Sequence, residues 1–515
     1  MKFRAFLLAM LAALPAAAQP ASRPQTLRVA PETLTTVLDP HFSTSFTVRD
    51  FSYLVFDTLL AVDDQWRPQP QMAEKWEKSA DGMVWTFTLR DGLAFHDGAP
   101  VTAEDCVASL KRWGSRDALG GLLMRATASL EVIDAKSFRL TLKEPFALVL
   151  EALSKPGALV PMILPRRLAE TPATTAITTP VGSGPYRFMA DEYRPGDRIV
   201  LTRNTAYRPR PEPAVWGSGG KVARMERVEL VSMPDVSTQV AALLTGEVDY
   251  LERVPAENLP LLERSRDVTV KPVSRVGYQG IMRFNHLLPP FDDVRVRRAV
   301  MLAVDQGDYL PGVAGKDEYQ RRCLSMYGCG TPFSTESGMP AKPDFDAAKR
   351  ALQGLDISRP VVIIHPADAP GIAALGLVSQ DLLTRLGFKV DLQTMDLNTY
   401  FARRARQDGW NLAHTTSTVP DMQNPITNPF LNGAGRQGGF AGWPQNAGVE
   451  KLRADFTRAA DPAEQRRIAA EIHQLAAADG FYMPLGQFLA ASAWRANLSG
   501  VLEGPAMFLW NIERK

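Results

Sequence analysis

Between Pro70 and Lys111 the chain compresses a strand, several tight turns and a helix start into one stretch, PQMAEKWEKSADGMVWTFTLRDGLAFHDGAPVTAEDCVASLK, and no other segment restricts the fold as much. Trp85, Phe87 and Leu89 alternate with Val84, Thr86 and Thr88. That period of two places one set of side chains on each face of a half-buried strand from Met83 to Arg90. Asp81-Gly82 and Asp91-Gly92 bracket it with residues that tolerate positive φ, and Asp97-Gly98 with Pro100 makes a further reversal. A helix then opens at Thr102, a good N-cap, with Glu104 and Asp105 at the positive end of the dipole. Cys106, one turn in, reads as a small buried hydrophobe.

The first twenty residues, MKFRAFLLAMLAALPAAAQP, have the pattern of a secretory leader: Lys2 and Arg4, an apolar run from Ala5 to Leu14, and Ala16-Ala17-Ala18 before the expected cut. The expectation is a signal peptide over residues 1–18 and a mature chain free in a bacterial periplasm. Pro15 ends the apolar run well short of the roughly 20 residues an anchor needs, and no Cys follows the small residues to take a lipid. Without Lys2 and Arg4, 56 basic residues face 56 acidic ones. A formally neutral chain with no basic stripe argues against a nucleic-acid partner. Its length divides into two or three domains.

Catalytic and metal signatures are weak. The six histidines, His41, His96, His286, His365, His414 and His473, contain no His-x-x-x-His pair, and no Gly-x-Ser-x-Gly elbow occurs. Gly433 to Gly438 satisfies Gly-x-Gly-x-x-Gly literally, but two prolines precede it and no strand does, so it reads as a loop. His96-Asp97 reads as part of a turn. Cys323 and Cys329 in RRCLSMYGCGTPF read first as a loop-stapling disulfide in an oxidising compartment. A metal site there is the alternative, and it lacks a third thiol or a nearby His. Neither a metal nor a cofactor is expected.

Elsewhere the chain alternates. A short strand (Leu27 to Ala30) leads into Leu38-Asp39-Pro40 and a helix from about Thr47 to Leu60; Val132 to Leu142 forms a hairpin; Glu170 to Pro180 lacks periodicity and suits a crossing between domains. Gly182-Ser183-Gly184-Pro185-Tyr186 follows. Further on come a strand from Val228, a helix over Val236 to Thr245 capped by Gly246, a strand Gly280 to Asn285, and a helix with Asp293 as N-cap. Past Asp344, helices (344–354, 371–386) and strands (360–364, 388–392) interleave as an α/β lobe requires. Asp461-Pro462-Ala463-Glu464 is a helix start, and a closing strand is expected near Gly500 to Leu502.

The cassette resembles the signature of the family 5 extracytoplasmic solute-binding proteins, the dipeptide, oligopeptide and nickel receptors of ABC importers. Pro70, Ala73, Trp76, Asp81-Gly82, Phe87, Leu89 to Gly92, Phe95 to Gly98 and Thr102 to Asp105 carry the match. So do the Leu38-Asp39-Pro40 loop, Gly182 to Tyr186, Leu201, Arg203-Asn204 and Tyr207. The resemblance implies an α/β, two-lobed periplasmic-binding-protein fold (type II, cluster C) with an extra domain inserted in the first lobe. Lobe I would comprise 22–52, 181–275 and 486–515, the extra domain 53–180, and lobe II 276–485.

It implies a receptor that closes on a small, peptide-like solute and presents it to an ABC permease, as a monomer and without catalysis. Alternatives are a receptor for an opine, sugar conjugate or metal chelate, a hydrolase or chaperone on the same scaffold, or a signalling module. Peptide-binding relatives place a carboxylate for the amino end late in lobe II, after a Gly-Trp pair. Asp421 is the nearest match, although a Thr/Ser run replaces the Gly-Trp, and it reads equally as a loop residue before an Asn-Pro turn. Family geometry adds His41, Ser45, Tyr278, Arg283, Ser417 and Trp443 as cleft candidates, Arg283 facing either cleft or solvent.

Overall fold

The computed structural model describes residues 25–515, so the expected leader and residues 22–24 lie outside the described residues. The first apolar run becomes strand Thr26–Ala30, parallel to both neighbours, Arg227–Val231 and Tyr250–Val254. Leu27 and Val29 are fully buried on one face, while Arg28 between them turns outward to pair with Glu229. The seven-stranded sheet extends through Arg198–Arg203 to Tyr186–Phe188 on one side, and through Ala491–Arg495 to Val268–Pro272 on the other. Helix Val236–Thr245 crosses beside it, opened by Asp235, which accepts from Thr238 N, and ended by Gly246 at φ 78.

A second sheet has six strands in the order Gln320–Arg321, Met483–Phe488, Tyr278–Phe284, Leu412–Thr418, Val361–Pro366 and Val390–Met395. Helix Pro370–Leu386 joins the parallel pair Val361–Pro366 and Val390–Met395. Helix Pro462–Asp479 starts on the Asp461 cap, which accepts from Ala463 N, and stops at Gly480 in the left-handed region. The chain therefore has the two-lobed α/β architecture.

The cassette builds a four-stranded antiparallel sheet of Ala73–Lys78, Val84–Leu89, Ser137–Leu142 and Thr127–Val132. Trp85, Phe87 and Leu89 are buried, and Phe87 stacks on Phe138 with ring centres 5.2 Å apart. Helix Ala103–Gly114 covers this face with Cys106, Leu110 and Trp113. Its N-terminus is closed reciprocally, Thr102 N donating to the Asp105 carboxylate at 2.8 Å. The two glycine-rich motifs recognise each other. His96 N donates to Gly182 O (2.8 Å), Gly182 N donates to His96 Nδ1 (3.4 Å), and His96 Nε2 reaches Gly184 O (3.1 Å). Nδ1 therefore accepts and Nε2 carries the proton.

Several expectations change. The helix expected to Leu60 is Phe46–Val55. It stops where the 182–184 turn docks on its last carbonyls: Gly184 N donates to Val55 O, and a Cβ on Gly182 would lie 1.9 Å from that oxygen. The ends of the 53–180 segment join the core of the first sheet through Tyr53 to Phe56, Val160, Met162, Leu164 and Ile177. Gly486 to Phe488, assigned to lobe I, pair in the second sheet. No strand forms over 500–502, where Gly500 packs against the Asn511 carbonyl; Leu498–Ser499 pairs with Glu513–Arg514 instead.

Candidate functional site

Two pieces of backbone join the sheets. Val268–Pro272 passes through residues 273–277 into Tyr278–Phe284, and Met483–Phe488 returns through Leu489 and Ala490 into Ala491–Arg495. Pro272 pairs with Ala491 and Tyr278 with Phe488, so the crossings run side by side. They touch at Gly277, φ 61, where a Cβ would sit 2.1 Å from Phe488 O, an approach that requires glycine. The disulfide-closed loop Cys323–Cys329 grips the same place: Gln487 Oε1 accepts from Cys329 N at 2.7 Å, and Gln487 Nε2 donates to Val276 O at 2.7 Å. Glu336 approaches the two sulfurs, but these are bonded to each other and offer no thiolate.

Beside the crossings lies a narrow cavity of about 50 Å³ walled by Arg49, Glu252, Arg253, Tyr278, Ser492 and the 504–507 turn. Helix Phe46–Val55 delivers Arg49 next to Asp50, with Nε donating to Asp50 Oδ1 at 2.8 Å and both side chains almost fully buried. Each keeps one buried atom without a hydrogen-bond partner among the described residues, Arg49 Nη1 and Asp50 Oδ2. Burial raises the Asp50 carboxyl against the pull of Arg49. Glu252, whose carboxylate accepts from Glu32 N at 2.7 Å, is pushed up to about 8 by burial and by the charges of Asp50 and Glu32. Arg253 pairs with Glu32 at 2.8 Å and lies 5.0 Å over the Tyr278 ring; burial pushes the Tyr278 phenol up to about 12.

From the second lobe, Asp421 follows the strand Leu412–Thr418 and reaches across. Its Oδ1 accepts from Ala158 N at 3.0 Å and its Oδ2 from Thr418 Oγ1. The loop it meets is held from behind: Trp113 Nε1 donates to Leu159 O (2.7 Å), and Lys155 Nζ donates to Ala158 O (2.7 Å) and pairs with Asp117. Ala147 N donates to Thr457 O at 2.7 Å across the same divide. A second cavity of about 320 Å³ opens there, with Trp66, Leu119 and Leu148 on one side and Phe333, Gln423 and Asn424 on the other.

The sequence-expected residues scatter. Tyr278 lines the cleft and Asp421 bridges it, while Ser417 is part-buried in its strand opposite Gln279. Ser45 is the N-cap of helix Phe46–Val55. Arg283 faces neither cleft nor solvent. Its guanidinium sits inside the second lobe between the rings of Phe430 and Phe440 and donates to Ala441 O and Phe430 O, and burial lowers it to about 9. Trp443 packs on Trp410 in the same lobe, turned there by φ 50. His41 is fully buried beside the ion pair of Asp39 and Arg112, with both ring nitrogens unpartnered among the described residues. The residues that sequence reading passed over are Arg49, Asp50, Glu252 and Arg253. The available signal was an adjacent Arg-Asp pair inside an otherwise apolar helix.

Burial lowers His41 to about 4, partly opposed by Asp39. A histidine kept neutral in the fold stabilises it fully above the unfolded value near 6.5, and that contribution is lost as pH falls toward 4. His41→Phe is therefore expected to leave the thermal midpoint at pH 7.5 nearly unchanged and to raise it relative to the parent at pH 4.5. Parallel midpoint curves for the two proteins over pH 4–7.5 would contradict this.

The fold and cleft define a class, and the sequence comparisons specify it. A profile of the bacterial extracellular solute-binding proteins, family 5 Middle, matches residues 67–438, and the chain belongs to that family. A "probable peptide ABC transporter periplasmic-binding protein", y4tO of Sinorhizobium fredii NGR234, is 32% identical over 501 residues, spanning 95% of this chain and 93% of that protein. Two solved structures share the fold. MoaA from A. tumefacien R10, in complex with mannopinic acid, has TM-score 0.80 and 21% identity over 96% of this chain and all of that one. DppA from Helicobacter pylori, in complex with the peptide STSA, has TM-score 0.79 and 19% identity over 95% and 98%. Among the described residues no helix is long and apolar enough to cross a membrane.

Proposed function

We propose that this chain is the periplasmic substrate-binding component of an ABC importer, a monomer that closes two lobes on a small peptide-like solute and hands it to the inner-membrane permease. The observation that carries the reading is a cleft between two sheets joined, among the described residues, by two adjacent crossings, lined with buried charge at the hinge and bridged by Asp421. Such a device needs no bond made or broken; a ligand with greater affinity for the closed form supplies the bias. The family match and the 32% identity to a probable peptide-binding protein support the peptide reading. A second reading, a solute of opine type, is favoured by Asp421 itself, whose two oxygens are already engaged by Ala158 N and Thr418 Oγ1. Calorimetric titration with di- and tripeptide pools beside mannopinic acid decides between them. Heat from the peptides with a contraction in small-angle scattering is the expected result, and heat from mannopinic acid alone would replace the first reading with the second.

A further inference from the structure

The loop that grips the hinge is held by more than its disulfide. Gln306, buried, accepts from Cys323 N at 2.8 Å and donates to Cys323 O at 2.7 Å; Gln487, also buried, does the same for Cys329, at 2.7 and 3.1 Å. One distant side chain thus fixes both backbone polar groups of each cysteine. His473 ties in a second segment: its Nε2 accepts from Met326 N at 3.0 Å inside the loop, and its Nδ1 donates to Ser337 O at 2.7 Å. That segment carries Glu336 to the sulfurs. One of its carboxylate oxygens and the two Sγ atoms all lie within 4.8 Å of one another. Glu336 Oε1 accepts from Leu324 N at 2.8 Å, and Oε2 has no partner among the described residues. Cys323 is buried, Cys329 half-buried and Glu336 exposed, so the cluster is reached from solvent. None of these hydrogen bonds runs through the S–S bond, and breaking it leaves two thiols and a carboxylate facing one another.

We propose that the reduced form of this loop is a zinc site, with the Cys323 and Cys329 thiolates and the Glu336 carboxylate as three ligands and water as the fourth. Zinc accepts such a mixed sulfur and oxygen set, and Zn–S bonds of about 2.3 Å at a tetrahedral angle need the sulfurs only about 3.8 Å apart. Side-chain rotation supplies that separation. Opening the disulfide takes a dithiol: one thiolate of this reductant attacks Cys329 Sγ, the more accessible sulfur, and Cys323 leaves as a thiolate. The second thiol then displaces Cys329, and the reductant ends as the disulfide. Two electrons enter the loop, and the two protons of the reductant pass to solvent as zinc takes both thiolates. The ion closes the same loop that the S–S bond closed. Gln487, which joins Cys329 to Val276 O at the crossing, therefore keeps its grip on the hinge in either state. The site stands independently of the reading of the chain as a solute receptor.

The test reduces the purified mature protein with a phosphine, removes the reductant, and titrates Co²⁺ and then Zn²⁺ under argon beside the untreated protein. One equivalent of Co²⁺ is expected to give thiolate charge-transfer and tetrahedral d–d bands in the reduced protein alone, and Zn²⁺ to bleach them. Glu336→Gln, whose Oε1 can still accept from Leu324 N, should weaken Co²⁺ binding about tenfold or more. Cys329→Ser should remove the charge-transfer band while its circular dichroism stays that of the parent. Reduced protein that remains folded and shows no thiolate band overturns the inference, and so does a Glu336→Gln protein that binds as tightly as the parent. A parent chain that unfolds on reduction overturns it too, because the glutamines and His473 would then not hold the loop.

Discussion

A Gly157→Val protein is expected to remain open. A Cβ on residue 157 would lie 2.0 Å from Asp421 Oδ1 and 3.1 Å from its Cγ, far inside contact distance. The loop cannot retreat cheaply, because Trp113 and Lys155 hold the carbonyls of Leu159 and Ala158 from behind. The carboxylate must move instead, which breaks its hydrogen bond with Ala158 N. A hydrogen bond to a charged group contributes about 1.5–3 kcal/mol, so the closed population should fall roughly 10- to 100-fold, with the two branches of valine adding steric cost. Small-angle scattering on the variant, saturated with any solute that contracts the parent, should return an unliganded profile. Asp421→Asn is the control: its Oδ1 still accepts from Ala158 N, and its effect should be smaller. A Gly157→Val protein that contracts like the parent would show that this contact does not govern closure.

The largest loss of stability is expected from Lys221→Met. Lys221 Nζ lies 2.7 Å from Asp57 Oδ1 with both side chains essentially inaccessible, and the ammonium sits 5.1 Å from the Trp510 ring and 5.8 Å from that of Tyr53. Tyr207 Oη donates to Asp57 Oδ2 at 2.9 Å, so three distant parts of the chain converge on one carboxylate. Methionine fills a similar volume but leaves Asp57 charged and buried. Removing one partner of such a pair costs about 3–5 kcal/mol, whereas replacing both with apolar groups is often close to neutral. The urea midpoint should drop sharply in Lys221→Met and recover in part in Lys221→Met with Asp57→Leu. A single variant as stable as the parent would mean that water reaches the site.

Legibility followed the range of the interactions. The cassette strand, the Thr102 helix start, the hairpin turn after Val132, the Gly246 cap and the Asp293 and Asp461 helix starts are set by residues a few positions apart, and sequence placed each within a few residues. The helix end at Val55 was not readable locally, because the turn at Gly182 to Gly184 imposes it from far along the chain. Arg283 and Trp443 were assigned to the cleft by analogy. Alternation along a strand gives two faces without saying which one a later segment covers; here Phe430, Phe440 and Ala441 close over Arg283, and Trp443, in a loop, packs on Trp410 instead. Arg49 and Asp50 were missed for the opposite reason: an apolar helix suggested core, and only the fold shows that Arg49 lines the cavity beside the hinge.

The adjacent crossings at Gly277 and Ala490 also decide what kind of movement is available. A single linker lets one body swivel about its long axis; two pinned side by side, 272 against 491 and 278 against 488, behave like a strap hinge that bends about one line and resists torsion. Every point of the far lobe then travels on a fixed arc. The bridge at Asp421 and the backbone contact of Ala147 with Thr457 must part together, and the motion has few halfway stations.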